Sequence, residues 1–375
     1  MIIESLSEVF EENIKKKVIK KDVIIYGTGT IAKEVYEVLI NSKYNVNCFI
    51  NMNLNYTNEV KGLAKIKRAD DNKITSELKE KTTIIISIFN SYADVHTIIS
   101  QLKKLGFKNI ICFTELIDIF ENKFKERFYL NKKIDLFKDK EKILHIENIW
   151  NDEKSKQLYN SIVKFRLYKD YKYLLAKDSL EEQYLPKDIK KLYNQQNIRF
   201  IDCGAFDGDT IKNFLNENKK IDSIIAFEPD MGNYKNLISS IREIKLEHKH
   251  SRISAFPCAV YSDTAHLKFN MEGSTGSNIS DFGLNIVQCV SIDQCIGDFK
   301  PTYIKMDIEG SEYEALLGAK DTIYSSKPNL AICLYHKPND LYEIPLLINS
   351  WNLGYKFYLR MHSYSAFDLV LYAVI

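Results

Sequence analysis

Short apolar runs alternate along this chain with stretches whose apolar positions recur every three or four residues. Early in the chain, "DVIIYGTG" is an apolar run ending in glycines, and "TIAKEVYEVLINS" comes after it with helical spacing. "VNCFIN", "TTIIISIF" and "NIICFTEL" read as further strands, and "HTIISQLKKLGF" as a helix stopped by Gly106. This alternation predicts a small parallel sheet covered by helices, ending near residue 120. Residues 121–196 lose the pattern. They are rich in Lys, Glu and aromatics and almost free of Gly, and "EEQYLPKDIKKLYN" breaks at Pro186. They read as a helical connector that also caps the next domain. From residue 197 the strands return: "IRFIDC", "SIIAFEP", "RISAFPCAV", "IVQCVSI", "TYIKMDI", "NLAICLY", "YKFYLR" and "FDLVLYAVI". The last two predict an antiparallel hairpin on an otherwise mainly parallel sheet, giving domains at 1–120, 121–196 and 197–375.

The length of 375 residues and 45% hydrophobic content allow two cores of fair size. A formal charge of +2 argues against a nucleic-acid partner. No apolar run approaches the roughly 20 residues of a spanning helix, and the start, "MIIESLSEVFEEN", lacks a cleavable apolar core. The seven cysteines are scattered without paired metal spacing and read as small buried thiols. A cytoplasmic protein is the expectation, and a homo-oligomer is compatible with it.

The stretch "FIDCGAFDGDTIKNFL" carries the first chemistry. A strand runs into a glycine turn and a helix, the site at which open parallel sheets bind ligands. Gly204 and Gly208 let the backbone approach a ligand, and Asp209 or Thr210 can cap the helix. The turn is acidic, with Asp202, Asp207 and Asp209, and one strand later Glu228 stands where a carboxylate grips ribose hydroxyls. A pyrophosphate, as in NAD, is disfavoured there. S-adenosylmethionine, with its ammonium, sulfonium and ribose and no phosphate, fits the charge. Helix capping alone is the bland alternative for the aspartates.

The ordered motifs "QYLP", "FIDCGAFDGDT", "AFEPD", "CAVYSD", "SIDQ", "YIKMDIEGSEYEALLGA", "LYHKPNDL" and "FDLVLYA" resemble those of FkbM-family methyltransferases over about residues 180–375. The resemblance implies an α/β fold: a class I methyltransferase Rossmann-like sheet with a terminal antiparallel hairpin. It implies S-adenosylmethionine as donor and a hydroxyl of a sugar, nucleotide sugar or surface glycan as acceptor. It places Asp202, Gly204, Gly208, Thr210, Glu228, Pro229, Ala259 and Val260 around the cofactor. The first domain is similar to the small Rossmann-like modules of bacterial surface-sugar modification enzymes.

Methyl transfer to a hydroxyl needs an aligned acceptor and a proton acceptor. Asp307 and Glu309, at the end of "TYIKMDI", are candidates, since acids at an apolar strand end cost solvation unless used. Ser311 with Glu314 matches the capping-box pattern at the start of the next helix. His336, ending "LAICLYH", is a candidate base, hydrogen bonder or ligand. Some sugar O-methyltransferases of related fold hold a divalent cation at these strand ends, so Asp307 and His336 are also candidate ligands. Ser274 and Ser277, in a polar loop, and His362, in the hairpin turn, are candidate substrate contacts. In the first domain, Gly27-x-Gly29-x-x-Ala32 is a weak dinucleotide signal. The acid expected after the second strand is replaced by Asn51 and Asn53, which counts against an NAD-dependent sugar-nucleotide oxidoreductase. A non-catalytic glycan-assembly module is the third reading, disfavoured by the intact set of acids and glycines.

Overall fold

The computed structural model describes residues 6–10, 17–52, 58–130, 133–217, 220–247, 252–270, 278–279 and 283–375. The chain divides into two compact units. One comprises Met1–Leu144, Gln157–Lys177 and Ser363–Phe367, the other His145–Lys156, Asp178–His362 and Asp368–Ile375. The residues read as a connector are thus shared between the two.

The first unit is built on five parallel strands: β1 (Asp22–Tyr26), β2 (Asn45–Asn51), β3 (Ile66–Arg68), β4 (Thr83–Ile86) and β5 (Asn109–Cys112), in the order β3-β2-β1-β4-β5. The run "TIII" of β4 is buried throughout, as expected of a parallel strand covered on both faces. The helix Thr30–Asn41 buries Ala32, Val35, Val38 and Leu39, the positions its periodicity singles out. The helix Val95–Lys104 begins at Asp94, whose carboxylate accepts from Thr97 N at 3.1 Å. Gly106 comes after it at φ 92°. The run "NIICFTEL" is half strand: Phe113–Ile119 turns helical because the Glu115 carboxylate reaches back to Cys112 N at 2.8 Å.

The second unit holds a seven-stranded sheet. Its members are β6 (Ile198–Cys203), β7 (Ile221–Phe227), β8 (Arg252–Phe256), β13 (Tyr303–Met306), β14 (Asn329–Cys333), β15 (Lys356–Met361) and β16 (Leu369–Val374). Their order is β15-β16-β14-β13-β6-β7-β8. The pairs from β8 to β14 are parallel, and β16 runs antiparallel to both β14 and β15. The strand order reverses at β6, whose two neighbours are β7 and β13, so the carboxyl ends of these strands open a crevice. The helix Asp209–Asn216 closes one face, with Phe214 stacked on Phe200 at 4.8 Å between centroids. Burying such a side chain contributes about 1.5–3 kcal/mol.

A second, four-stranded sheet of order β11-β10-β12-β9 stands beside this frame: β9 (Ala259–Val260), β10 (Ala265–Asn270), β11 (Asn278–Ile279) and β12 (Asn285–Val290). Two sequence expectations change here. The run "RISAFPCAV" is not one strand, because Pro257, which has no N–H for a ladder, separates β8 from β9. The run "IVQCVSI" joins the small sheet, where Val287 and Cys289 pack on Ala259 and Phe269. The described cysteines are all free, and five of the seven are buried. Among the described residues no helix is long and apolar enough to cross a membrane.

Candidate active site

At the carboxyl ends of β6, β7 and β13 lies a cleft with about 660 Å³ of empty space, the solvent at its mouth included. Gly204, Glu228, Pro229, Ala259 and Val260 line it, joined by Asp307 and Glu309 from the reacting end. The turn after β6 fixes its floor. Gly204 has φ +80°, and a Cβ there would lie 1.9 Å from the carbonyl oxygen of Asp307. Gly208, at φ +89°, stands behind the turn as the cap of the helix Asp209–Asn216. Thr210 is buried in that helix, its N–H on Asp209 Oδ1 at 2.6 Å. Neither residue lines the cleft.

Asp202 lies beneath the turn, wholly buried. It pairs in register with Lys305 of β13, whose ammonium is 3.0 Å from Asp202 Oδ1. Apart from this ion pair its oxygens have no hydrogen-bond partner among the described residues. Burial pushes its carboxyl up to about 6 against the opposing pull of Lys305. Lys305 also donates to Gly204 O at 2.6 Å, and its ammonium lies over the Tyr184 ring. Burial works to lower the Lys305 ammonium, but the carboxylates of Asp202, Asp307 and Asp209 raise it, so it stays charged. Glu228 is buried at the end of β7 and accepts from Phe206 N at 2.9 Å and Asp230 N at 3.0 Å. Burial drives its carboxyl up to about 7, opposed by those two N–H groups.

The reacting end is a knot of acids around one imidazole. Asp307 comes directly after β13 and accepts from Tyr184 Oη at 2.7 Å and from Tyr335 Oη at 3.3 Å. Burial works to raise its carboxyl, but Lys305 and His336 hold it below the ordinary range. Glu309 stands two residues on, in left-handed backbone at φ 52°, with Gly310 next at φ 93°. A non-glycine residue in that region costs about 1–2 kcal/mol, a strain found where a site over-determines its backbone. The Glu309 carboxylate accepts no hydrogen bond among the described residues. Its ionic contact is His336 Nε2 at 3.6 Å, and burial pushes it up to about 8.

His336, just past β14, is 7% exposed. Its Nδ1 lies 2.8 Å from Glu312 Oε1 and its Nε2 3.4 Å from Asp307 Oδ1. Burial would lower the imidazole, but Glu312, then Glu309 and Asp307, raise it to about 10, so the ring is cationic at neutral pH.

Several expectations meet different geometry. Ser311 makes no side-chain cap bond, so the Ser311–Glu314 capping box does not form. Instead Glu312 turns back and accepts from Ile308 N at 2.9 Å. His362 is wholly buried rather than exposed in a turn. Its ring bonds Ser179 O at 2.8 Å and Tyr372 Oη at 2.9 Å, and it does not line the cleft. The segment after Lys177 covers it, with Asp178 N on Met361 O. Ser274 and Ser277 lie outside the described residues. In the first unit, Gly27 has φ +112° with Ser87 Oγ 2.6 Å from where a Cβ would stand, and Asn51 donates to Thr28 Oγ1 at 3.3 Å. Asn53 is not among the described residues.

The sequence reading missed Lys305, Tyr335 and Glu312. Lys305 sits inside an apolar strand, where a lysine needs a buried partner. Tyr184 belongs to "QYLP" but carried no stated role. Glu312 offers no local signal, since its partner is 24 residues away.

S-adenosylmethionine fits these residues. A turn whose Gly204 admits no side chain and a Glu228 at the end of β7 border one cleft, with the buried Asp202 beneath the turn. Residues 202–357 match the family described as Methyltransferase FkbM domain. No curated protein matches the chain. Among solved structures, that of Methyltransferase FkbM from Methylobacillus flagellatus KT is similar at 21% identity. The match covers 98% of this chain and 92% of that one, with a TM-score of 0.76, and at that identity it establishes the fold.

Proposed function

We propose that this chain, whose C-terminal part is an FkbM-family methyltransferase domain, transfers a methyl group from S-adenosylmethionine to a hydroxyl of a sugar, nucleotide sugar or surface glycan. The observation that carries the reading is the single cleft that joins the Gly204 turn and Glu228 to Asp307 and Glu309. Glu228 would hold the cofactor's ribose, and the acidic lining of the cleft would suit its cationic end. The acceptor oxygen attacks the methyl carbon in line, an O–C bond forms, the S–C bond breaks, and S-adenosylhomocysteine leaves with the sulfur's electron pair. The hydroxyl proton passes to Glu309, the cleft carboxylate with no hydrogen-bond donor of its own among the described residues, in its ionised form, which prevails above the value of about 8 to which burial pushes it. Asp307 and the His336 imidazolium hold the charge and orientation around it.

The test is calorimetry with S-adenosylhomocysteine, then labelled donor with a panel of sugars, nucleotide sugars and glycans. Binding with label in a hydroxyl ether supports the reading. Absence of S-adenosylhomocysteine binding, or label found on nitrogen or carbon, sinks it.

A further inference from the structure

Tyr184, in the stretch "QYLP", is buried against the reacting acids without lining the cleft. Its backbone is left-handed, at φ 68°, a region a bulky residue occupies only where its surroundings compel it. Two phenols compel it here. Tyr303 Oη, on β13, donates to Tyr184 O, and Tyr184 N donates to Tyr372 Oη, on β16, at 3.0 Å. Behind Tyr372 stands His362. Burial holds the pKa of this ring below its ordinary value. In the neutral ring Nδ1, which faces Ser179 O, carries the proton, and Nε2 accepts from Tyr372 Oη at 2.9 Å. The Tyr372 oxygen is thereby turned to accept from Tyr184 N.

The side chain is directed as tightly. Gln183 Nε2 donates to Tyr184 Oη at 3.0 Å, which leaves the phenol's one proton for Asp307 Oδ2, 2.7 Å away. The Lys305 ammonium lies 5.3 Å from the centroid of the ring. Tyr335 Oη holds the other carboxylate oxygen, Oδ1, at 3.3 Å. A buried phenol needs an acceptor, but that need does not require a strained backbone gripped at both its N–H and its carbonyl. The arrangement aims one hydroxyl at one carboxylate.

We propose that Tyr184 is a positioning residue: it fixes the Asp307 carboxylate at the edge of the cleft, and Tyr372, held by His362, fixes Tyr184. The inference rests on the methyl-transfer reading for its purpose. Asp307 lines the cleft together with Glu309, and misplacing such a group by about 1 Å costs on the order of 100-fold in rate. His362, expected from the sequence to meet substrate, serves the site without touching the cleft.

The test is a double-mutant cycle. Tyr184→Phe keeps the ring and both backbone bonds and removes the donor to Asp307. Single-turnover methylation of the acceptor that labelled donor identifies is expected to slow roughly tenfold or more, with S-adenosylhomocysteine affinity unchanged. In an Asp307→Ala background the same substitution should cost less than about twofold, because the carboxylate it acts on is gone. Equal losses in both backgrounds, or no loss in either, overturn the proposal. Asp307→Asn takes the place of Asp307→Ala if circular dichroism shows the alanine variant unfolded. A crystal structure of Tyr184→Phe with S-adenosylhomocysteine gives a readout that needs no acceptor. Asp307 is expected to leave its wild-type rotamer or to occupy two, and a carboxylate unmoved at full occupancy overturns the proposal. If S-adenosylhomocysteine does not bind, or no hydroxyl takes label, the methyl-transfer reading fails, and the position of Asp307 in the Tyr184→Phe crystal still decides what Tyr184 does.

Discussion

The Lys305 ammonium stands 3.0 Å from the carboxylate of Asp202, both buried, on adjacent strands in register. This pair fixes the floor of the cleft, because the same ammonium donates to Gly204 O. Removing one partner leaves an uncompensated buried charge. Lys305→Met is therefore expected to destabilise the second unit by about 3–5 kcal/mol, read as a lower midpoint in chemical denaturation. The double variant Asp202→Asn, Lys305→Met should recover part of that loss. A single variant as stable as the wild type would mean that Asp202 is neutral in the folded chain.

Gly204 is the position where the backbone leaves no choice. A Cβ would sit 1.9 Å from Asp307 O, and φ is +80°. Gly204→Ala should displace the turn from Asp307 and abolish measurable S-adenosylhomocysteine binding while circular dichroism stays native. Retained affinity would place the cofactor elsewhere.

Much of this arrangement is legible in the sequence, and the boundary of legibility is physical. The glycine turn and the strand ends declare themselves through local spacing, and Asp202, Glu228 and Asp307 are read from acids at apolar strand ends. The hairpin β15–β16 appears as two apolar runs. The features the sequence conceals depend on tertiary partners. The strand β3 is three half-exposed or exposed residues with no alternation. Phe113–Ile119 becomes helix through the Glu115 contact with Cys112 N. Glu312 looks like an ordinary first-turn acid until His336 meets it, and His362 looks accessible until Ser179 and Tyr372 close on its ring.

Glu228 gives a pH dependence with a definite sign. Its carboxyl is raised from an ordinary 4.5 to about 7 in the folded chain. The folded state thus favours the neutral form. The stability this contributes is fully present below 4.5 and is lost as pH rises through about 7. Cofactor affinity runs the other way, since ribose hydroxyls donate best to the ionised carboxylate. S-adenosylhomocysteine affinity should climb from pH 6 to pH 8 and then level. Glu228→Gln should lower it roughly tenfold or more, in line with a lost bond to a charged group of about 1.5–3 kcal/mol, and flatten the profile. Calorimetry across that range on both proteins checks it, and an equal slope in the variant would detach Glu228 from the cofactor.

Glu309→Gln is expected to spare S-adenosylhomocysteine binding and lower turnover by about 100- to 10,000-fold. The amide keeps the shape and the strained backbone at φ 52° but cannot take a proton. Donor affinity rests on the Gly204 turn and on Glu228, on the other side of the cleft from this carboxylate's task. Single-turnover rates with labelled donor separate the two quantities, because they report the chemical step without product release. Asp307→Asn serves as the contrast. It removes a charge that Tyr184 and Tyr335 already engage, so its cost should appear in acceptor KM as well as in the chemical rate, whereas Glu309→Gln acts on the rate alone. Near wild-type single-turnover rates in Glu309→Gln on the true acceptor would remove Glu309 as the proton acceptor and transfer that role to Asp307.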